Sequence, residues 1–208
     1  MSQVIDAGID SNSRVFFIKG ERAAIVDTGA PDNERKILKA LRKAGIPQGN
    51  VSILIVTHAH WDHCGSLHAL KSTLNVPVMA GWPDAEYLEK GENTPVSRSA
   101  AKHATHLNFK GVRADVVVRG EVSLEAYGID ARVFRTPGHT DGSVSVLASD
   151  GNCTTGDFLA SLYTAEPGVI KQSLKRMIDS GAKYFYPSHG PCVSAGDIFS
   201  LDIFTGQG

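Results

Sequence analysis

Four potential metal ligands fall within six consecutive positions of this sequence. The segment Thr57-His-Ala-His-Trp-Asp-His-Cys64 contains the imidazoles of His58, His60 and His63 and the carboxylate of Asp62. Residues two apart in an extended chain point the same way, so His58 and His60 can bind one ion, while a turn into a helix would direct Asp62 and His63 toward another. Imidazole together with carboxylate suits zinc, and these ligand types also admit iron or manganese. The spacing predicts a site for two metal ions.

A buried strand is predicted immediately before this cluster. Residues 51–57 are nearly all apolar, which is typical of a strand covered on both faces. After the cluster, Leu67, Leu70 and Leu74 recur at helical spacing, and residues 76–79 read as a returning strand. We therefore predict a βαβ unit with the histidines at the carboxyl end of its first strand, where ligand sites of α/β proteins are common.

Further short apolar runs, separated by turn residues, predict strands on both sides of this unit. They comprise Val4-Ile5, residues 15–18, 23–26, 115–118, 129–134, 143–147 and 184–186. Helices are predicted after Pro31 and from Pro167, where apolar residues recur at helical spacing. This mixture predicts an α/β fold, an αββα sandwich in which two mixed β-sheets pack face to face and helices cover the outer faces. We expect residues 1–208 to form a single domain.

Residues 81–112 differ in character from the rest of the chain. They combine Gly, Pro, Asn, Ser and mixed charges, with weak helical patterning in Asp84–Lys90 and Ser97–Leu107. We expect an insertion on the substrate side of the site, although amphipathic helices packed on the surface explain the pattern equally well. The candidate specificity residues in it are Trp82, Tyr87, Arg98, Lys102 and Phe109.

Composition argues against several classes of partner. The 21 basic and 22 acidic residues give a net charge of −1, and no basic run would follow a phosphate backbone, so we expect no nucleic-acid partner. No stretch approaches 18 apolar residues, and the first ten positions have no basic leader, so we expect a cytoplasmic protein without a membrane partner. The three cysteines, Cys64, Cys153 and Cys192, form no CxxC pair, which fits a reducing compartment.

These motifs resemble those of the metallo-β-lactamase superfamily. Residues 57–63 resemble its HxHxDH signature, and Val26-Asp-Thr-Gly29 resembles the DTG that the family carries beneath the site. Downstream, Thr136-Pro-Gly-His-Thr140, Thr155-Gly-Asp-Phe158 and Ser188-His-Gly190 resemble its GHT, GD and last-histidine segments. The motifs appear in family order and span residues 26–190, so the resemblance covers most of the chain.

The resemblance implies a complete set of metal ligands. The first ion would bind His58, His60 and His139, the second would bind Asp62, His63 and His189, and Asp157 would bridge them. Asp27 would support the site from beneath, and we expect His68, His103 and His106 to be structural or surface residues. The aspartate at the bridging position argues against the subgroup with cysteine there, and His60 argues against flavodiiron members, which have a carboxylate at that position.

The resemblance to glyoxalase II and to lactonases implies hydrolysis of a carbonyl compound. Two ions about 3.5–4 Å apart lower the pKa of a bridging water to about 7, so a metal-bridging hydroxide would attack the substrate, oriented by Asp62 as the candidate catalytic residue. A thioester is the substrate class we expect, with a lactone and then a β-lactam as alternatives. Only about 18 residues follow Gly190, which leaves no room for the glutathione-holding domain of glyoxalase II and argues against glutathione itself.

Other classes of function stay open at this point. An iron enzyme resembling the persulfide dioxygenases of the superfamily is one, although those resemble single-metal sites that do not need Asp62, His63 and His189. A binding protein that has kept the fold is another, and the RNA-cleaving branch shares the ligands but does not fit the near-neutral charge. The apolar tail with Ile198, Phe199, Leu201, Ile203 and Phe204 suits the monomer's own core or a homodimer interface equally well.

Overall fold

Two six-stranded β-sheets are formed within residues 1–9, 13–96, 108–162 and 166–199, which the computed structural model describes. The first sheet contains, in sequence order, β1 (Gln3–Asp6), β2 (Phe16–Lys19), β3 (Ala23–Val26), β4 (Val51–Val56), β5 (Val78–Gly81) and β6 (Val116–Val118). The second contains β7 (Glu121–Ser123), β8 (Ala131–Arg135), β9 (Val144–Ala148), β10 (Asn152–Gly156), β11 (Tyr184–Pro187) and β12 (Val193–Ser194). Each half of the chain thus builds one sheet.

Strand direction brings the loops that carry the predicted ligands to one edge of the molecule. In the first sheet β3, β4, β5 and β6 are parallel, while β1 and β2 are antiparallel to their neighbours. In the second sheet β8 and β10 are both antiparallel to β9, and β11 is parallel to β10. The carboxyl ends of β8, β10 and β11 therefore lie together.

Along the chain, the α-helices of the described residues connect these strands, except α6, which follows β12. They are α1 (Glu34–Lys43), α2 (Trp61–Cys64), α3 (Leu67–Leu74), α4 (Asp84–Lys90), α5 (Pro167–Asp179) and α6 (Ala195–Phe199). In α1, Glu34 in the first turn and Arg42 and Lys43 in the last complement the helix dipole. Asn75, with φ of 51°, ends α3 in the left-handed conformation that asparagine tolerates.

Three apolar layers hold the structure together. Strand β4 shows how: Ile53 and Ile55 pack between the two sheets, whereas Leu54 and Val56 face the opposite side, against α1, α3 and α4. The third layer lies between the second sheet and α5, where Phe185 meets residues such as Leu174. Alternate residues of a strand point to opposite faces, so both faces of β4 are buried, as its apolar sequence predicts. The predicted αββα sandwich of two mixed sheets is confirmed.

Some sequence predictions shift and others lie outside the described residues. Strand β5 begins at Val78 and not at residue 76, because Pro77 has no N–H and contributes only its carbonyl, which accepts the Leu54 amide. In the segment 81–112, α4 coincides with the predicted helical patterning, while residues 97–107, with Arg98, Lys102, His103 and His106, are not described.

The apolar tail is described only as far as α6. Ile198 is fully buried in the layer beneath α5, so this residue closes the core of its own chain. Leu201, Ile203 and Phe204 lie outside the described part. None of the helices in that part is both long enough and apolar enough to span a bilayer.

Candidate metal centre

Strand ends from both sheets carry the predicted ligands. His58 and His60 follow β4, and Asp62 and His63 lie on α2, the short helix that comes next. From the second sheet come His139 after β8, Asp157 after β10 and His189 after β11. The structure brings all seven side chains together in three overlapping groups, and the ligand atoms of each group lie within 4.8 Å of one another. The first group is His58, His60 and His139, the second is Asp62, His63 and His189, and the third, His58, His63 and Asp157, links the other two.

The first group consists of three imidazoles. His60 Nδ1 lies 2.9 Å from His58 Nε2 and 3.2 Å from His139 Nε2. The other ring nitrogen of His60, Nε2, donates to the Thr94 carbonyl at 2.8 Å. That hydrogen bond fixes the tautomer, so the Nδ1 lone pair of neutral His60 faces the other two nitrogens, an arrangement that suits a shared cation.

The second group combines one carboxylate with two imidazoles. Asp62 Oδ2 lies 3.3 Å from His189 Nε2 and 3.6 Å from His63 Nε2. His63 donates its other ring N–H, on Nδ1, to Asp27 at 2.9 Å. Nε2 of His63 is therefore the nitrogen with a lone pair when the ring is neutral, and it points at the Asp62 carboxylate.

Asp157 spans both groups with its two oxygens. Oδ2 lies 3.6 Å from His139 Nε2 and 4.0 Å from His58 Nε2, in the first group. Oδ1 lies 3.6 Å from His63 Nε2 and 3.5 Å from His189 Nε2, in the second. One carboxylate in this position can contribute an oxygen to each of two ions.

Two unsatisfied atoms test whether these residues fit a metal. His63 Nε2 and Asp157 Oδ1 are buried, and within the described part of the chain neither has a hydrogen-bond partner. An unsatisfied buried polar atom costs about 1–3 kcal/mol, so such atoms call for a missing partner. A cation beside both would provide it, and imidazole with carboxylate is the donor set that zinc prefers. The residues fit metal binding.

Burial keeps the histidines of the first group neutral. It holds the pKa of His58 well below its ordinary value, reinforced by the neighbouring histidines, and it lowers the pKa of His60. The pKa of His139 falls to about 4 for the same reason. Neutral imidazole is the form that binds a metal, so at pH 7 this group is ready to do so without losing protons.

The second group has the opposite electrostatics. Burial would lower the pKa of His63, but the carboxylates of Asp157 and Asp27 outweigh it and hold that pKa well above its ordinary value. Burial would likewise raise the pKa of Asp157, but His63, His139 and His189 hold it well below its usual range. In the metal-free protein, a proton on His63 thus occupies the position that suits a cation.

Asp27 lies beneath the second group. Its side chain is fully buried and accepts hydrogen bonds from the Thr57 amide, the Thr57 hydroxyl and His63. The Ser188 hydroxyl also donates to it, at 3.4 Å. Asp27 therefore joins the ends of β3 and β4 to the residue that precedes His189.

The centre is open on one side. The side chains of His58 and His63 are fully buried, whereas that of Asp62 is 17% exposed and that of His189 is 41% exposed. Ser13 borders this side and donates to the Asp62 carbonyl. Asp62 and His189 therefore lie on the side of the centre that solvent reaches.

The candidate specificity residues that the structure describes have different surroundings. Trp82 is 39% exposed, with the guanidinium groups of Arg119 and Arg135 over its ring at 5.0 and 5.8 Å. Phe109 is buried in the layer beside α4, and Tyr87 packs against that layer. Of these three, Trp82 is the side chain most accessible to a ligand.

Some contacts around the centre are not apparent from the sequence. Thr94, Asn93 and Asp84, all from the segment 81–112, bond to the loop that carries His58 and His60. Two of these contacts use backbone amides of the loop and the third uses the Thr94 carbonyl. Because every residue has a backbone carbonyl and nearly every residue an amide, the sequence does not predict these contacts. His68, by contrast, lies on α3 beside Lys71 and Arg113, and it belongs to none of the three groups.

Comparisons with known proteins agree with this architecture. The model of the metallo-beta-lactamase superfamily matches residues 8–189. A probable metallo-hydrolase of Methanocaldococcus jannaschii is 27% identical over 88% of this chain and 89% of its own length. A hydroxyacylglutathione hydrolase of a Chelativorans species is 29% identical over 75% of this chain, but the match spans only 52% of that protein.

A solved structure extends the likeness over the whole chain. The BLEG-1 B3 metallo-beta-lactamase superposes with a TM-score of 0.73, over 99% of this chain and 100% of its own, at 21% identity. At that identity the likeness shows the fold alone. Since the family model covers most of the chain and every motif of the centre except the final glycine of Ser188-His-Gly190 lies within the match, the chain belongs to the metallo-beta-lactamase superfamily.

Proposed function

We propose that this chain hydrolyses thioesters by means of two zinc ions bound to the seven residues of the candidate metal centre. One observation carries the dinuclear part of the proposal: Asp157 directs Oδ2 toward the first group and Oδ1 toward the second. A metal-dependent hydrolase is the activity that the family supports. Two bound zinc ions supply Lewis acidity, which activates water and polarises a carbonyl group at neutral pH.

The thioester part of the proposal is supported by relatives. Proteins of a Shewanella and a Chelativorans species that match this chain are named hydroxyacylglutathione hydrolases, a name that denotes cleavage of an acyl bond to a thiol. This chain spans about half the length of each of them. We therefore propose that this chain cleaves an acyl–thiol bond, and we assign no particular thiol carrier.

The protein's own residues divide the work. His58, His60 and His139 are neutral ligands, and the hydrogen bond from His60 to the Thr94 carbonyl fixes the orientation of the His60 ring. The hydrogen bond with His189 and the charge of His63 outweigh the effect of burial and lower the pKa of Asp62, so this carboxylate is ionised at pH 7. On the open side, Asp62 accepts a hydrogen bond from the attacking water and orients it toward the substrate carbonyl.

Acid release in a dilute pH indicator tests the proposal. Zinc-loaded protein is presented separately with a thioester, a lactone and a β-lactam, because hydrolysis of each liberates acid. Turnover of the thioester is expected, and Asp157→Ala should abolish it together with zinc binding. Asp179→Ala is the matched control, because Asp179 is exposed on α5 and pairs only with Lys175 in the described structure.

The other outcomes would each contradict part of the proposal. Turnover of the lactone or the β-lactam alone would overturn the thioester as the substrate class, while the assignment as a metal-dependent hydrolase would still hold. Metal analysis of the purified protein would overturn the dinuclear zinc centre if it gave one iron per chain, a result that favours redox chemistry. Full activity in Asp157→Ala would refute the bridging role.

A further inference from the structure

Asp84 is a buried carboxylate outside the seven proposed ligands. It is the first residue of α4, and it is 1% exposed. Oδ2 accepts hydrogen bonds from the Ala59 amide at 3.0 Å and the Thr140 hydroxyl at 2.9 Å, and Oδ1 accepts one from the Gly142 amide at 2.9 Å. Two of these donors are backbone amides that cannot reverse direction, so both carboxylate oxygens must act as acceptors.

These three donors belong to the two loops that carry the first group of ligands. Ala59 lies between His58 and His60, and Thr140 directly follows His139. The loops come from different sheets, and His60 and His139 are 79 positions apart in sequence. A single side chain therefore bonds to both loops at once.

The approach of the second loop to Asp84 depends on glycine. A Cβ atom at Gly142 would overlap Asp84 Oδ1, and one at Gly81 would overlap the Gly142 carbonyl. The chain after His139 can thus pack against the start of α4 only because both positions lack a side chain.

The residues that follow α4 also bond to the loop that carries His58 and His60. The Asn93 side chain accepts the Trp61 amide at 2.8 Å, and the Thr94 amide donates to the Ala59 carbonyl at 2.9 Å. The Thr94 carbonyl, in turn, accepts His60 Nε2. Asp84 thus anchors one end of a segment whose other end fixes the tautomer of His60.

The second group has a separate support. His63 is held by Asp27, which also bonds to Ser188 beside His189. Within the described residues, the hydrogen bonds of Asp84 go to Ala59, Thr140 and Gly142 and to none of these. Asp27 reaches the first group only indirectly, through the Thr57 hydroxyl that lies 3.1 Å from His58 Nδ1. Each group therefore depends on its own buried aspartate.

We propose that Asp84 is a positioning residue for the first group of metal ligands and sets the affinity of that group without touching the ion. The inference rests on the metal centre of the proposed function and is independent of the substrate class. Residues that orient metal ligands typically contribute 10–100-fold to metal affinity. Asp84→Asn keeps the shape of the side chain but places an NH₂ group opposite donors, so we expect zinc affinity at the first group to fall by about 10–100-fold.

Zinc titration of metal-free protein against a chromophoric chelator tests this inference through binding. Asp84→Asn is combined with His189→Ala, which disables the second group, and separately with His139→Ala, which disables the first. Asp84→Asn should lower the zinc affinity of the first combination relative to His189→Ala alone. It should leave that of the second combination within about twofold of His139→Ala alone, because residues without shared contacts act additively.

Asp115→Asn is the matched control for a merely structural effect. Asp115 accepts hydrogen bonds from the Val78 amide and from Lys71 at the far end of β5, so its loss should lower stability without changing zinc affinity. If Asp84→Asn proves too unstable to purify, Thr140→Val removes one donor to Asp84 and should shift the affinity in the same direction by a smaller factor.

The possible failures can be told apart. Wild-type protein that binds no zinc would overturn the proposed function along with this inference. If wild-type protein binds two zinc ions but Asp84→Asn leaves zinc affinity at the first group unchanged, or lowers it equally at both groups, the proposed role of Asp84 is wrong and the proposed function is unaffected.

Discussion

Replacing Asp27 with asparagine tests how the second group is held. Asparagine can still accept the Thr57 amide through its carbonyl oxygen, and it tolerates the left-handed φ of 61° that Asp27 adopts. At the position of Oδ2, however, an NH₂ group would face the Nδ1–H of His63, two donors with no acceptor between them. To accept from that NH₂ group, His63 would have to give up its Nδ1 proton and keep one on Nε2, the nitrogen proposed to bind the ion.

The size of the effect follows from burial. Asp27 and His63 are both fully buried, so water cannot replace the lost interaction or screen it. A hydrogen bond to a charged group contributes about 1.5–3 kcal/mol. We therefore expect Asp27→Asn to lower the free energy of unfolding by about 2 kcal/mol. In a chain of this length that corresponds to a Tm about 4–8 °C lower.

Urea unfolding of the metal-free protein and zinc titration measure the two consequences. Zinc affinity at the second group should fall by about 10–100-fold because the histidine tautomer opposes binding. Asp179→Asn, a substitution of the same type at an exposed site, should leave both quantities unchanged. A stability within about 0.5 kcal/mol of wild type, the range of neutral surface substitutions, together with unaltered zinc affinity, would refute this reading of Asp27.

Three further outcomes are expected. The unfolding free energy of metal-free protein, measured in urea from about pH 5 to 9, should peak near pH 7. Below about pH 6.5 stability falls, because histidines of the unfolded chain bind protons whereas those of the first group, with His139 at a pKa of about 4, stay neutral in the folded protein. At higher pH stability falls again, because the folded chain loses the proton on His63, whose pKa is raised. A thiol reagent at pH 8 should label only the exposed Cys192 in native protein, because burial shields Cys64 and Cys153 and raises the pKa of both thiols. After denaturation the reagent should label all three cysteines. Zinc at about a thousandfold excess over its Kd should stabilise the fold by about 4 kcal/mol for each ion bound, and removal of zinc by a chelator should therefore lower the Tm.

The sequence identifies the candidate ligands well because they follow strands in short motifs. His58, His60, Asp62 and His63 come directly after a strand whose apolar run needs no tertiary information to recognise. A parallel pair of strands then brings their carboxyl ends to one edge, so the location of the site follows from the strand prediction.

Other features depend on contacts between distant parts of the chain. Strand β10 has the sequence Asn-Cys-Thr-Thr-Gly and no apolar run, and it is a strand because β9 and β11 pair with it on either side. Asp84 reads as an ordinary acidic residue in the first turn of a helix, since its partners Ala59 and Gly142 are 25 and 58 positions away. A single sequence carries no local signal for such contacts.

The division of the chain into one sheet per half has a consequence for the order of folding. The first sheet ends at Val118 and the second begins at Glu121, yet each group of proposed ligands takes residues from both halves. Neither half contains a complete group. During synthesis, the first group is therefore complete only after His139 has been made, and the second only after His189 has been made. Zinc uptake during synthesis would then report that the two halves have docked, and the ions would act as a late check on assembly.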